Sequence, residues 1–173
     1  MRISRTPECF RPRDLGFEID LKDYDGKWLV LFFYPLDFTF VCPTENLALS
    51  DRYDEFAALG ADVLGASTDS VHSHFAWINT ARDKNGIAHL KFPLVADYKK
   101  EIARAYGVLD EASGAAQRGL FIIDPEGILR YATITADNVG RSVDETLRVL
   151  QALQTGGLCA ADWKPGKALL SVA

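Results

Sequence analysis

The sequence predicts an α/β fold with a central mixed β-sheet flanked by helices and an irregular C-terminal tail. Three apolar runs, at residues 29–34, 61–66 and 119–123, are typical of strands that are buried on both faces. Segments with apolar residues at helical spacing lie between the first two runs, which favours a parallel strand pair joined by a helix. The turn sequence of residues 124–127 (Asp-Pro-Glu-Gly) predicts an antiparallel hairpin, so the sheet is mixed.

The N-terminal part of the chain is predicted to form an edge strand, a buried strand and a long helix. Residues 17–21 alternate apolar and polar side chains, as a half-exposed edge strand does, and residues 22–27 have turn composition. The buried strand begins at Trp28. A helix is predicted from about Pro43 to Leu59, because proline suits the first helical position and Gly60 ends the helix. The side chains that this helix directs toward a core are Leu47, Leu49, Tyr53, Phe56 and Leu59.

The middle of the chain continues with a strand, a helix, a connection and a short strand. After the strand of residues 61–66, Asp69 or Ser70 can cap the next helix. Residues 82–91 form a polar, glycine-containing connection, and residues 92–96 form the short strand.

The C-terminal part is predicted to form two helices around a hairpin. Asp97 caps a helix that ends at residues 106–107 (Tyr-Gly), and residues 128–135 return antiparallel after the turn. Residues 142–154 read as a helix that opens with the capping box Ser-Val-Asp-Glu. Residues 158–173 have no regular pattern.

Length, charge and hydropathy exclude several classes of protein. The 173 residues are enough for one domain, and we expect residues 1–173 to form a single domain with residues 157–173 as its tail. A net charge of −5 without a basic run argues against nucleic acid or an anionic membrane as a partner. There is no bilayer-length apolar stretch, and residues 1–13 lack the apolar segment of a secretory signal, so we expect a cytoplasmic protein.

The three cysteines are Cys9, Cys42 and Cys159. An odd, sparse set without a Cys-x-x-Cys pair argues against a disulfide-stapled fold, a zinc ribbon and a dithiol redox motif. Cys9 is interpreted as incidental. Cys42 lies where a buried strand is followed by a helix N-terminus, and the local field there favours an anion, which for cysteine is the thiolate. A buried structural cysteine is the alternative interpretation of Cys42.

The motif around Cys42 resembles the active-site motif of the peroxiredoxins. It consists of Pro35, Thr39 and Cys42 in that order, followed by Thr44-Glu45 after Pro43. The resemblance covers about residues 20–166. Further matching segments are residues 67–70, 76–79, 118–124, 140–145 and 163–166. It implies a thioredoxin-like fold, the typical two-cysteine branch, and reduction of hydrogen peroxide, alkyl hydroperoxides or peroxynitrite.

Ionisation of the sulfur alone would not make an efficient peroxidase. Lowering a thiol pKa from about 8.5 to about 6 raises the thiolate fraction roughly 30-fold, but the thiolate loses roughly 10-fold in nucleophilicity. Donors around the peroxide must therefore supply the larger effect.

Four residues are candidates for shaping that site. Thr39 offers a hydroxyl group, and the resemblance implies that Arg118 folds back onto Cys42 and that Pro35 shields the site. Glu45, taken as the third helical residue, can orient Arg118 by a bidentate contact. The alternatives are a cap for Thr39, a loop break for Pro35, and a surface ion pair for Glu45 and Arg118.

Attack of Cys42 on a peroxide yields a sulfenic acid, which must meet a second thiol or risk further oxidation. Cys159, in the glycine-flanked tail, is the candidate, although it could also be a tail cysteine without a role. The resemblance implies that Cys159 acts from the opposite subunit of a homodimer. It also implies that thioredoxin or a similar dithiol reductant recycles the disulfide, and that dimers assemble into a ring, often a decamer.

No cofactor and no metal are expected. His72, His74 and His89 are interpreted as solvated or interface residues rather than metal ligands. The alternative functions are an oligomeric holdase chaperone or a redox-signalling relay; a dithiol exchanger would require a thiol near Cys42.

Two departures from the family pattern bear on function. Alanine follows Cys159 where the family usually has proline, so the geometry of resolution is less constrained. The Gly-Gly-Leu-Gly loop and the C-terminal Tyr-Phe helix of oxidation-sensitive members are absent, since residues 85–88 and 167–173 do not match them. We therefore expect an enzyme that resists formation of sulfinic acid.

Overall fold

The computed structural model describes residues 8–11 and 14–171, and for residues 8–11 and 14–18 only the backbone. The chain divides into two compact units, of which the first ends at Arg141 and the second begins at Ser142. No helix in the described ranges is long and apolar enough to cross a membrane.

The described part of the first unit is built on a seven-stranded mixed sheet, with the strand order β2-β1-β5-β4-β3-β6-β7. The strands are β1 (Glu8–Arg11), β2 (Asp14–Glu18), β3 (Trp28–Phe33), β4 (Ala61–Ser67), β5 (Leu94–Ala96), β6 (Arg118–Ile123) and β7 (Leu129–Thr135). β3, β4 and β5 are parallel neighbours, whereas β6 runs antiparallel to β3 and to β7. The predicted mixed sheet is therefore confirmed.

The helices are α1 (Val41–Asp51), α2 (Tyr53–Ala58), α3 (Val71–Ile78), α4 (Glu101–Ala105) and α5 (Val143–Gln154). Two predicted caps are confirmed: Ser70 accepts a hydrogen bond from the Ser73 amide in α3, and Ser142 accepts one from the Glu145 amide in α5. The Asp97 carboxylate accepts hydrogen bonds from two amides in the first turn of α4, although it lies three residues before the N-cap.

The apolar run of β3 is explained by packing on both faces of the sheet. Leu29, Leu31 and Phe33 point to one face, where the Phe33 ring lies 5.9 Å from that of Phe121. Phe32, on the other face, lies 5.6 Å from Phe92. Burial of successive residues on alternating sides removes the polar alternation that an edge strand would show.

Several predicted boundaries in the N-terminal half of the chain were wrong. The predicted edge strand ends at Glu18, because the Asp20 carboxylate caps a 3₁₀ turn at Leu21–Tyr24. The helix predicted from Pro43 begins at Val41, so Pro43 is its third residue; the amide there also lacks a helical partner, which makes proline acceptable. That helix is interrupted at Arg52, where φ is −103° and ψ is 13°.

The short strand predicted over residues 92–96 is confined to Leu94–Ala96. The polar connection of residues 82–91 includes a 3₁₀ turn at Arg82–Lys84.

Candidate active site

Cys42 is the second residue of α1, directly after the loop that leaves β3. Its side chain is completely buried, with 0% of its surface exposed. Phe40 is the N-cap residue of α1 and gives no side-chain hydrogen bond to the first amides. Cys42 therefore lies at the positive end of the helix dipole of α1.

Arg118 brings a guanidinium group to this sulfur from the start of β6. Its Nη1 lies 3.4 Å from Cys42 Sγ and 2.6 Å from Glu45 Oε2, and its Nε donates to the Asp137 carbonyl at 2.8 Å. Burial alone would lower the pKa of Arg118, but its contacts with Cys42 and Glu45 outweigh burial and raise it. The predicted contact of Arg118 with Cys42 and Glu45 is thus present in the structure, and it is buried rather than a surface pair.

The bidentate partner of Glu45 is Arg141, not Arg118. Arg141 Nε and Nη2 donate to the two carboxylate oxygens of Glu45 at 2.7 and 3.0 Å, and the Arg141 amide donates at 2.9 Å. Arg141 is itself held by the Gly119 carbonyl at 2.6 Å and lies over the Phe32 ring. Glu45 is the fifth residue of α1, because the helix begins earlier than predicted.

Sequence reasoning missed a role for Arg141, although it lies in the matched segment of residues 140–145. The sequence gives no other sign of this role, because Glu45, the carboxylate that Arg141 binds, is 96 residues away in the chain. The structure therefore places one carboxylate between two guanidinium groups next to the sulfur.

Thr39 and Pro35 lie in the loop before Cys42, both half-buried. The Thr39 hydroxyl donates to the Leu36 carbonyl at 2.9 Å, which leaves its lone pairs to accept a hydrogen bond. Asn85, also not anticipated, donates to the carbonyls of Phe38 and Thr39 at 3.2 and 2.9 Å. The loop is therefore held by its own hydroxyl and by a side chain from a distant connection.

Asp37 anchors the same loop in a buried network. Its carboxylate accepts hydrogen bonds from the Tyr34 hydroxyl at 2.9 Å and from the Ser73 hydroxyl at 2.8 Å, and it contacts His74 Nδ1 at 2.8 Å. The Asp37 amide donates to the Asp69 carboxylate at 2.9 Å. Burial, together with Asp37 and Asp69, raises the pKa of Tyr34 well above its ordinary value, so this hydroxyl remains a donor.

His74 is not the solvated or interface residue that was predicted, because it is completely buried. Its second nitrogen, Nε2, contacts the Val95 carbonyl at 3.1 Å, so both ring nitrogens face acceptors. Burial lowers the pKa of His74, but Asp37 and the Val95 carbonyl outweigh it, and the pKa is raised. His74 therefore favours the imidazolium form, paired with the Asp37 carboxylate. His72 and His89 are exposed.

Cys159 lies in the second unit, in the segment that follows α5, and is half-buried. Its Sγ lies 3.7 Å from the Ala152 carbonyl and 3.5 Å from the Thr155 hydroxyl. Gly156, with φ of 65°, turns the chain, and a bridge between Leu158 and Leu170 closes the segment. The thiol is thus positioned at the C-terminal end of α5. Cys9 lies in β1, where only the backbone is described.

No cluster of three or more His, Cys, Asp or Glu side chains suited to a metal ion occurs among the residues described.

Sequence comparison relates the chain to known proteins. The sequence model of the AhpC/TSA family matches residues 5–132. The putative peroxiredoxin YkuU of Bacillus subtilis is 66% identical over 146 residues, which cover 84% of this chain and 81% of that protein. Peroxiredoxin-1 of Gallus gallus is 58% identical over 153 residues, covering 86% of this chain and 77% of that protein.

Solved structures are similar over almost the whole chain. The reduced 2-Cys peroxiredoxin of Plasmodium vivax has a TM-score of 0.92 at 37% identity, covering 95% of this chain and 88% of that one. AhpC of Enterococcus faecalis has a TM-score of 0.83 at 34% identity, covering 96% of this chain and 94% of that one. The fold is therefore thioredoxin-like, as the resemblance to the peroxiredoxins implied.

We expect the free energy of unfolding to fall as the pH rises through the raised pKa of folded His74. A histidine in the unfolded chain has a pKa of about 6.5. The pair with Asp37 therefore stabilises the folded state fully below that pH, and this contribution is lost as the pH rises above the pKa of folded His74. Urea unfolding from about pH 6 to about pH 10 measures the slope. His74→Gln should flatten it, whereas His72→Gln, at an exposed site, should not; equal slopes in wild type and His74→Gln would contradict the assignment.

Proposed function

We propose that Cys42 is the residue that attacks the peroxide. The chain belongs to the AhpC/TSA family and is a thiol-dependent peroxidase. Membership of this family implies a peroxide substrate, a thiol reductant and an oligomeric assembly. The substrates we propose are hydrogen peroxide and alkyl hydroperoxides; peroxynitrite, which would release nitrite, is the third. The observation that carries the proposal is the Arg118 Nη1 group 3.4 Å from a buried sulfur at a helix N-terminus.

In the first step, the Cys42 thiolate attacks the terminal oxygen of the peroxide. A sulfur–oxygen bond forms and the O–O bond breaks; the departing oxygen takes a proton and leaves as water or an alcohol, and Cys42 becomes a sulfenic acid. Arg118 stabilises the negative charge that moves from sulfur to the departing oxygen. Thr39, whose own proton is bound by Leu36, accepts a hydrogen bond from the peroxide and orients it.

Glu45 and Arg141 act on this step through Arg118. A free arginine side chain would lose a large conformational entropy on adopting one geometry, and Glu45 together with the Asp137 carbonyl fixes it in advance. Arg141 in turn fixes Glu45. Pro35 shapes the loop that excludes water from the sulfur.

In the second step, Cys159 of a partner subunit resolves the sulfenic acid. Its sulfur forms a bond to Cys42 sulfur, the S–O bond of the sulfenic acid breaks, and hydroxide leaves with the thiol proton as water. A disulfide requires the two Cα atoms to approach within about 7 Å, which a completely buried Cys42 does not allow. The first turns of α1 must therefore open, and they lose the Arg118–thiolate contact once the sulfur is a neutral sulfenic acid.

The proposed assembly is a homodimer, with dimers joined into a ring. Exposed apolar side chains support it: Phe40 is 90% exposed beside Cys42, and Leu36 and Phe38 are exposed in the same loop. β7 is an edge strand of the sheet and also exposes Leu129 and Ile134. Recycling of the disulfide requires a dithiol reductant such as thioredoxin, and hence a reducing compartment, which we take to be the cytoplasm.

Cys42→Ser should abolish peroxide consumption, because the reacting sulfur is removed. After one equivalent of hydrogen peroxide, wild-type protein should run as a dimer on a non-reducing gel, and Cys159→Ser should not. Peroxide turnover by Cys42→Ser would overturn the proposal, and a dimer band that persists in Cys159→Ser would reject the resolving role of Cys159. Aggregation-suppression assays on Cys42→Ser separate a chaperone activity from the peroxidase.

Glu45→Gln should slow sulfenic acid formation by roughly 10- to 100-fold, because Arg118 loses its charged anchor next to the sulfur. The rate is measured by stopped-flow mixing with hydrogen peroxide. Glu55→Gln is the matched control, since it removes an exposed contact with Arg52 and should leave the rate unchanged. Equal rates in both variants would show that Glu45 does not position Arg118.

Wild-type protein should retain activity through many turnovers in excess peroxide, with sulfinylated Cys42 remaining a minor species. The reason is that residues 85–88 and 167–173 do not match the loop and the helix of oxidation-sensitive members, and that residues 157–171, the described part of the tail, contain no helix. Mass spectrometry of Cys42 after turnover with a dithiol reductant measures this. Early inactivation together with stoichiometric sulfinic acid is the contrary result.

A further inference from the structure

A buried polar atom next to Cys42 has no hydrogen-bond partner. Asn46 lies four residues after Cys42 in α1 and is completely buried. Its Nδ2 donates to the Cys42 carbonyl at 3.0 Å. Its Oδ1 accepts no hydrogen bond from any residue that the structure describes, and no other buried side-chain nitrogen or oxygen there is left in this state.

With Asn46 at this position, the closed form of α1, in which Cys42 is buried, is less stable than it would be with an apolar residue of similar size. An acceptor that is buried without a donor loses its hydrogen bonds to water and gains no replacement. This shifts the equilibrium between the closed and the open helix by roughly 5- to 100-fold toward the open form. The Nδ2 bond offsets only part of this, because the Cys42 carbonyl is already the acceptor for the helical amide four residues on. When residues 41–46 unwind, water reaches both ends of the Asn46 carboxamide.

We propose that Asn46 is a positioning residue that biases the first two turns of α1 toward opening after the sulfur is oxidised. This inference rests on the proposed function, in which a buried Cys42 sulfenic acid must emerge to form a bond with the Cys159 sulfur and release water. The hydrogen bond of Asn46 is to the Cys42 carbonyl rather than to the reacting sulfur. It acts on the equilibrium between the closed helix, which reacts with peroxide, and the open segment, which reacts with the second thiol.

The bias has a consequence for oxidation. A sulfenic acid that remains closed stays beside Arg118, where a second peroxide can convert it to sulfinic acid. Faster opening shortens that exposure. Asn46 therefore favours disulfide formation over sulfinic acid formation without changing the first reaction with peroxide.

The decisive variant is Asn46→Leu, which replaces the carboxamide by an apolar group of similar size. Stopped-flow mixing with hydrogen peroxide, followed by quenching, separates sulfenic acid formation from disulfide formation in the full-length protein. The first rate should stay within about 2-fold of wild type. The second should fall by roughly 5- to 100-fold, and the yield of sulfinic acid in excess peroxide should rise.

The chain contains a matched control. Asn79 makes the same hydrogen bond to the carbonyl four residues earlier, that of Phe75, at 2.7 Å, but it is exposed at the end of α3. Asn79→Leu should leave both rates and the sulfinic acid yield unchanged. Asn46→Met serves as a second variant if the leucine side chain does not fit, because its flexible apolar side chain adapts to irregular space without leaving the cavity that alanine would create, and it should shift disulfide formation in the same direction.

The outcomes distinguish this inference from the function on which it rests. Wild-type protein that forms no disulfide at all overturns the proposed role of Cys159, and with it this inference. Wild-type protein that forms the disulfide, while both Asn46 variants form it at the same rate or faster, overturns the role of Asn46 alone. A change in sulfenic acid formation equal to that in disulfide formation also rejects it, because a general structural defect would slow both steps.

Discussion

The carboxylate of Glu45 is the interaction on which the geometry of the site depends. It lies buried between the guanidinium groups of Arg118 and Arg141, which come from separate parts of the chain. Each of these charges would be costly to bury alone, and the carboxylate makes burial of both arginines possible. Removal of the carboxylate would leave two cations facing each other near the sulfur. Helix α1, strand β6 and the segment that ends at Arg141 are therefore held in one arrangement by a single side chain.

The charge balance around the sulfur follows from the same arrangement. Arg118 and Arg141 carry two positive charges, and Glu45 neutralises one of them. The remaining positive charge faces Cys42 at hydrogen-bonding distance, together with the N-terminus of α1. In the proposed mechanism, a Cys42 thiolate would complete a neutral set of buried charges, whereas a neutral sulfenic acid would leave one positive charge in excess. In that mechanism, oxidation of the sulfur would therefore weaken the closed state of α1.

Local sequence signals predicted the features that depend on local structure. The apolar runs predicted the strands because burial on both faces leaves a continuous signature, and Ser70 and Ser142 identified the helix starts because capping acts over three residues. The pairing of Glu45 with Arg141 and that of Asp37 with His74 could not be found in this way. They join residues 96 and 37 positions apart, and no local pattern distinguishes such a partner from a solvated charge.

The contacts around the site fall into two groups, one at the loop before Cys42 and one at the start of α1. The loop before Cys42 is fixed at Asp37 by Tyr34, Ser73 and His74, and at its end by Asn85. These contacts join the loop to α3 and to the connection after it, and none of them involves α1. The turns that carry the sulfur are held instead through Glu45, which contacts Arg118 and Arg141, and Arg118 in turn contacts the sulfur. In the proposed mechanism, oxidation of Cys42 would therefore release the start of α1, while the loop proposed to receive the peroxide would keep its shape.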